Sequence, residues 1–471
     1  MMKKLLLSAV TAASLSANET ELESLKTQLE QMRQMMSAMQ SKIDALEKEH
    51  AEEHPALPAL AGVSEHSEHS EHSEHSEHSE HSEHSEHEKA SPLEFALFVD
   101  GAYVNRSKKD EQLENLLLPG LAPSIYGDGS SYNAQNGFNL NYVELLLHGE
   151  ITPDLDVTTL LHYSDEGVEI EEAYFTARNL PYGFKVKGGK FLSDFGYLNH
   201  QHHHAWDFSD MPLVYEAFLG GEGLNEIGAQ LQWSALSEPG LIFGIEALQG
   251  KNESLFGHSA LYDPVSGDLI ASSASQPSVI VGYAKTAADV GDTQIRAGVS
   301  IARGDMRQDR FDEEAYALSG TGHLYGADLA IRHNFGGDRS LTWQSEWLYR
   351  TIDGTQFTAG PDVQLEKNQA GYYSQLIYAH NDEWRTGVRY DNIYRNDVLE
   401  AGIDQRLPEN LDQLSAMVEY TVNDIARYRL QYTHSNALFA EIAPDTYARQ
   451  TIDSILFSIN FTLGKHVHHP F

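Results

Sequence analysis

Sixteen segments of the chain alternate apolar and polar residues with a period of two, and the connections between them alternate short and long. The pattern is plainest near the C-terminus, where Ile455, Phe457, Ile459, Phe461 and Leu463 alternate with Leu456, Ser458, Asn460 and Thr462. Residues 412–424 put Leu414, Ala416, Val418, Tyr420 and Val422 on one face, and residues 324–335 do the same with Tyr325, Ala327, Leu329, Ile331 and Phe335. Such a strand turns one face to an apolar medium and the other to water. The predicted spans are 94–105, 138–151, 154–164, 167–179, 183–192, 226–236, 240–250, 278–288, 292–304, 323–335, 339–352, 368–380, 383–396, 412–423, 425–436 and 450–464. Tight turns such as Ser237-Glu238-Pro239, Gly336-Gly337-Asp338-Arg339 and Asn381-Asp382 close one end of the pairs. Long connections at 106–137, 193–225, 251–277, 305–322, 353–367, 397–411 and 437–449 close the other, with Asp165-Glu166 a short exception. An even strand number with short turns at one end and long loops at the other is the layout of an outer-membrane barrel. A soluble sandwich has no reason to alternate its loop lengths. The expected fold class is therefore all-β, a 16-stranded antiparallel transmembrane β-barrel with an N-terminal α-helical coiled coil.

The barrel segment, 94–471, follows three shorter ones. Residues 1–17 read as a signal peptide, with Lys3 and Lys4 ahead of the apolar run Leu5–Val10 and small residues after it. Residues 18–50 carry Leu22, Leu25, Leu29, Met32, Met36, Met39, Ile43 and Leu46 at alternating steps of three and four. This is the seam of a parallel coiled coil, a rod of roughly 45 Å that needs partner copies to cover its Leu/Met stripe. Residues 51–93 form a linker in which Ser-Glu-His repeats eight times from Ser64 to His87, with no apolar residue from which to build a core. The balance of 32 Lys+Arg against 70 Asp+Glu, a net charge of −38, disfavours nucleic acid as a partner. With no cysteine, the chain has no disulfide, no thiolate metal site and no acylated-Cys anchor.

Histidine is the distinctive chemistry. His66, His69, His72, His75, His78, His81, His84 and His87 of the repeat could gather around Zn²⁺, Cu²⁺ or Ni²⁺ in many ways, with the neighbouring Glu residues adding charge. The competing reading is a polar spacer that binds metal incidentally. A second cluster lies in the connection after the fifth strand, where residues 193–226 hold no Lys or Arg. There His200, His202, His203 and His204 stand near Asp207 and Asp210. His202 and His204 share a face of an extended chain, His200 and His204 a face of a helix, and Asp207 or Asp210 could complete a metal's ligand set. The competing reading is a polar loop whose histidines and Trp206 pack and hydrogen-bond. His466, His468 and His469 follow the final strand, on the periplasmic side by this topology. Arg296, Arg332, Arg350, Arg385, Arg389, Arg427 and Arg429 fall on water-side positions, which keeps anion passage open. No nucleophile–base spacing or paired carboxylate signals an enzyme, and no cofactor is required.

The general layout resembles bacterial 16-stranded porins with an N-terminal coiled coil, such as the phosphate-selective porin O/P group. Gly189-Lys190-Phe191, Gly196-Tyr197-Leu198-Asn199, His202-His203-His204-Ala205-Trp206-Asp207-Phe208, Pro212-Leu213 and Ala217-Phe218-Leu219-Gly220-Gly221 resemble more closely a family of zinc-regulated outer-membrane receptors, as does His469-Pro470-Phe471. The resemblance implies that the loop after the fifth strand folds inward as the constriction. It also implies a homotrimer in outer-membrane lipid. Members are described as TonB-dependent; here there is no room ahead of the barrel for a plug domain, and sixteen strands fall short of the 22 of plugged transporters, so passive diffusion is expected. The expected function is a porin-like channel for divalent cations, zinc foremost as ligand and substrate. The alternatives are an anion, phosphate-type or general porin, and an envelope tether built on the coiled coil.

Overall fold

The computed structural model describes residues 93–464, apart from 123–124, 127–131, 165–166, 238–239, 253, 265, 310–314, 359, 424 and 444–445. The expected signal peptide, coiled coil and repeat with its eight histidines lie outside the described residues, as do His466, His468 and His469. Sixteen long strands carry the fold: β1 (Glu94–Arg106), β2 (Gly137–Thr152), β3 (Leu155–Ser164), β4 (Gly167–Leu180), β5 (Phe184–Leu192), β6 (Asn225–Ser237), β7 (Gly240–Leu248), β8 (Val279–Val290), β9 (Thr293–Asp309), β10 (Ala315–Asn334), β11 (Ser340–Thr358), β12 (Val363–Ala379), β13 (Trp384–Glu400), β14 (Leu411–Val422), β15 (Ala426–Ala443) and β16 (Thr446–Gly464). Each pairs antiparallel with its neighbours in sequence. β1 closes the ring, because Tyr103 lies opposite Phe138 of β2 on one side and Phe457 of β16 on the other. Closure leaves no sheet edge for hydrocarbon to strip of its hydrogen bonds. Among the described residues no helix is long and apolar enough to cross a membrane; strands do the crossing.

The alternation sorts as the sequence predicts. Leu414, Leu430, Ile455, Phe457, Phe461 and Leu463 point outward and are exposed, joined around the barrel by Leu231, Trp233, Phe243, Ile245, Trp343 and Val388. Ser415, Glu419, Arg429, Gln431, Ser458 and Asn460 point inward and are buried. An apolar outer band around a polar interior makes this a membrane barrel of the outer-membrane type.

The structure departs from expectation in two ways. Several ladders continue past the predicted outer ends. The β10–β11 pairing runs on through Thr321–Asp353 and Ser319–Thr355, so the connections expected at 305–322, 353–367 and 437–449 are largely strand. Beyond the bilayer the outward face meets water while the inward face buries residues such as Leu318, Leu365 and Leu438, so the backbone ladder persists while the apolar-outward alternation that announces it stops. The bore is also not uniformly wet. Near the short-turn end its wall is polar, with Arg332, Thr342, Gln344 and Thr462 around a cavity. Toward the long-loop end Leu324, Leu348, Ile352, Leu365, Ile393, Val398 and Leu411 are buried in one apolar cluster with Phe195, Val214, Phe218, Leu255 and Phe256. The long connections fold back into the barrel and give these inward leucines something dry to pack on.

Leu231→Arg, on the lipid side of β6, is expected to destabilise the barrel by about 2–4 kcal/mol. Thr462→Arg, on the polar wall of the cavity, should cost far less. Urea titrations of refolding into lipid vesicles would measure both.

Candidate functional site

The connection from β5 to β6, residues 193–224, crosses the bore and divides it. Wall carboxylates that accept its backbone N–H groups fix its path. Glu346 on β11 accepts from the N–H of Tyr197 (2.7 Å) and Leu198 (3.0 Å) and from the hydroxyl of Tyr215 (2.7 Å). Glu246 on β7 accepts from Asp194 N–H (2.9 Å), and Glu172 on β4 from Leu192 N–H (2.7 Å). Asn199 ties the two ends together, its amide donating to Ser193 O and Leu224 O while its oxygen accepts from Leu224 N–H. The short helix Leu213–Leu219 buries Leu213, Val214, Tyr215, Ala217, Phe218 and Leu219. Arg350 on β11 donates to the carbonyls of Ala217 (3.2 Å) and Phe218 (3.3 Å) at its end. Gly196 is the residue the sharp turn demands: its φ is +64°, and a Cβ there would sit 2.4 Å from the Tyr215 hydroxyl and 2.5 Å from Glu346 Oε2.

The histidine run of this loop docks on the wall made by β1 to β4. A short 3₁₀ turn, His203–Ala205, sends alternate rings to opposite sides. His202 and His204 stack with ring centroids 5.5 Å apart, and Phe98 covers His204 at 3.9 Å. His202 Nδ1 lies 3.3 Å from Glu171 Oε1 and its Nε2 3.0 Å from Glu172 Oε2. His204 Nδ1 lies 3.2 Å from Glu144 Oε2. His162 of β3 completes the group, its Nδ1 3.9 Å from both Glu144 Oε1 and Glu171 Oε2. Three imidazoles thus meet three carboxylates. His203 faces away, stacked on Tyr132 at 4.1 Å with its Nδ1 3.1 Å from the Tyr142 hydroxyl. Burial disfavours the cationic form of His202, but Glu172 and Glu171 outweigh it and raise the ring's pKa well above the usual value. Burial depresses that of His203.

A β-bulge makes this possible. Leu160 pairs with Glu172 and Leu161 with Ile170, so Glu171 is an extra residue in β4. Ile170 stays on the lipid face, and the bulge turns Glu171 into the bore beside Glu172.

The acids expected to complete a histidine site go elsewhere. Asp207 lies 2.9 Å from Arg385 Nη1 and accepts from Gln375 Nε2 at 3.0 Å. Asp210 lies 2.8 Å from Arg389 Nη2 and accepts from Gln431 Nε2 at 2.7 Å. Both therefore belong to a basic wall on β13 to β15, where Glu419 also pairs with Arg429 at 2.6 Å. Arginine takes them because a half-buried carboxylate in the bore is stabilised by a fixed countercharge held in charge-assisted hydrogen bonds. Glu144, His162, Glu171 and Glu172 were missed by sequence reasoning. The signal was the run Glu169-Ile170-Glu171-Glu172, whose adjacent acids break strict alternation.

The loop leaves a cavity of about 430 Å³ on the short-turn side, lined by His200, His204, Asp207, Arg296, Arg332, Arg385 and Arg427 among others. On its other side a space of about 20 Å³ is lined by Glu171, His202, His203 and Glu222. Segment 200–204 is the partition between the two.

No family model matches the chain. An uncharacterized protein of Aquifex aeolicus (strain VF5) is 38% identical over 387 residues, covering 82% of this chain and 81% of that protein. Among solved structures, the loop L8 deletion mutant of OmpT from Vibrio cholerae is similar over 79% of this chain and 99% of its own, at 10% identity and a TM-score of 0.46. The outer membrane channel DcaP of Acinetobacter baumannii is similar over 78% and 97%, at 13% identity and a TM-score of 0.46. An anion-selective porin from Comamonas acidovorans is similar over 80% and 100%, at 11% identity and a TM-score of 0.46.

Glu346→Ala leaves the buried donors of Tyr197, Leu198 and Tyr215 without their acceptor, at about 1–3 kcal/mol for each group left unsatisfied. The inward loop is then expected to become protease-sensitive while the barrel stays folded. Limited proteolysis with mass mapping of residues 193–224 would show this.

Proposed function

The chain belongs to the same family as that Aquifex aeolicus protein, and from its lumen we propose an outer-membrane channel that passes divalent metal cations, zinc foremost, to the periplasm. One observation carries the reading: the partition is built of imidazoles that face both compartments. His202 and His203 line the small outer space, and His200 and His204 line the larger inner cavity. Neutral imidazole suits Zn²⁺ and its neighbours, and the carboxylates of Glu144, Glu171 and Glu172 stand beside the rings as oxygen ligands. Conduction needs sites that bind and release, which a run of partial ligand sets supplies. On this reading the N-terminal seam holds three barrels together, and the Ser-Glu-His repeat with His466, His468 and His469 buffers ions below the pore.

Arg296, Arg332, Arg385 and Arg427 around the inner cavity favour a second reading, an anion porin. Reversal potential in planar bilayers under a tenfold KCl gradient separates the two. The cation sign is expected, together with a current that falls as Zn²⁺ is added; the anion sign with no response to Zn²⁺ defeats the proposal. Deleting residues 64–87 should raise the zinc concentration needed for growth of a zinc-limited strain, and an unchanged requirement would remove the buffering role.

A further inference from the structure

The structure assigns an exchangeable site for one first-row divalent metal ion to Glu144, His162 and Glu171, on the wall where β2, β3 and β4 run side by side. The site deepens the channel reading and rests on it for its purpose, though not for its geometry. Glu144, His162 and Glu171 each offer one ligand atom, all within 4.8 Å of one another. Glu144 Oε1 and Glu171 Oε2 both lie 3.9 Å from His162 Nδ1. That is too long for a hydrogen bond. It is close to the separation of roughly 3.5 Å between neighbouring ligand atoms around an ion bound at about 2.1 Å. Both oxygens are buried and accept no hydrogen bond, and Glu144 as a whole is 0% exposed.

The other oxygen of each carboxylate is already engaged. Glu144 Oε2 faces His204 and Glu171 Oε1 faces His202, at 3.2 and 3.3 Å. Those histidines are positioning residues: from the inward loop they turn each carboxylate so that its remaining oxygen looks toward His162. A buried carboxylate oxygen without a partner is costly, and one dication at the centre of the three atoms relieves both at once. Three protein ligands with a fourth position open describe a site that takes up an ion and gives it back. One imidazole among the donors favours zinc, and more weakly manganese or ferrous iron, over magnesium and calcium.

The test is a calorimetric titration of Zn²⁺ into the full-length protein in detergent. Every sample carries His→Asn changes at the eight repeat histidines, so that residues 64–87 bind nothing. One tight site per chain is expected, absent in His162→Ala and in Glu144→Gln. In His202→Gln it should persist with affinity lowered about 10–100-fold. Each variant is first shown to run as a folded, heat-modifiable barrel, with Glu171→Gln standing in for one that does not. Tight binding unchanged in His162→Ala, or a parent that binds Zn²⁺ no better than Mg²⁺, overturns the site and leaves its carboxylates with their histidine partners alone. Binding is read without conduction. A missing site in a cation-selective pore therefore strikes this inference alone, and an intact site in an anion-selective pore strikes the channel reading alone.

Discussion

Everything inside this barrel depends on how one inward loop satisfies the charges and the backbone that it carries out of bulk water. Between His202 and Asp210 the chain crosses from one wall to the other. Its imidazole end sits among Glu144, Glu171 and Glu172, and its acidic end sits on Arg385 and Arg389. Each wall thus holds the part of the loop whose charge complements it, and reversing the loop would bury like charges together. The carboxylates that accept N–H groups along Asp194–Leu198 then hold the backbone in register.

This polarity runs across the bore rather than along it. The side built from β1 to β4 presents acids to the loop's imidazoles, and the side built from β13 to β15 presents guanidinium groups that are mostly committed to Asp207, Asp210 and Glu419. The net charge of −38 says nothing of this arrangement. A bulk charge reports the surroundings an ion meets at the mouth, whereas the field within depends on which arginine already has a carboxylate.

The strands and their faces were legible because lipid imposes a rule with no exceptions inside its thickness. Leu414, Leu430 and Phe457 had to alternate with Ser415, Arg429 and Ser458, and all sixteen segments appear near their predicted positions. Outside the bilayer the rule lapses, which is why the upper parts of β10, β11, β15 and β16 were read as loop. The site was half legible. The histidine run and its connection stood out by composition, but its acidic partners lie on strands 30 and more residues away, and one of them is presented only by a bulge. The nearer acids, Asp207 and Asp210, were favoured by proximity along the chain, and arginines that the sequence placed on the bore side had the stronger claim on them. The apolar packing of the outer half was not legible, because inward aliphatic residues on β11 to β13, such as Leu348, Leu365 and Ile393, announce a dry partner without naming it.

The extra residue in β4 has a reach beyond its own strand. A sheet counts by twos, so one inserted position exchanges the two sides for a single side chain while leaving every neighbour where it was. Without it, the strand would step straight from outward Ile170 to inward Glu172, and the two remaining members of the trio would face an empty corner. A relative could therefore keep the whole cylinder, the loop and the histidines and still lack the trio, by the loss of a single codon; adjacent acids in the fourth strand are the mark by which the two kinds can be told apart on paper.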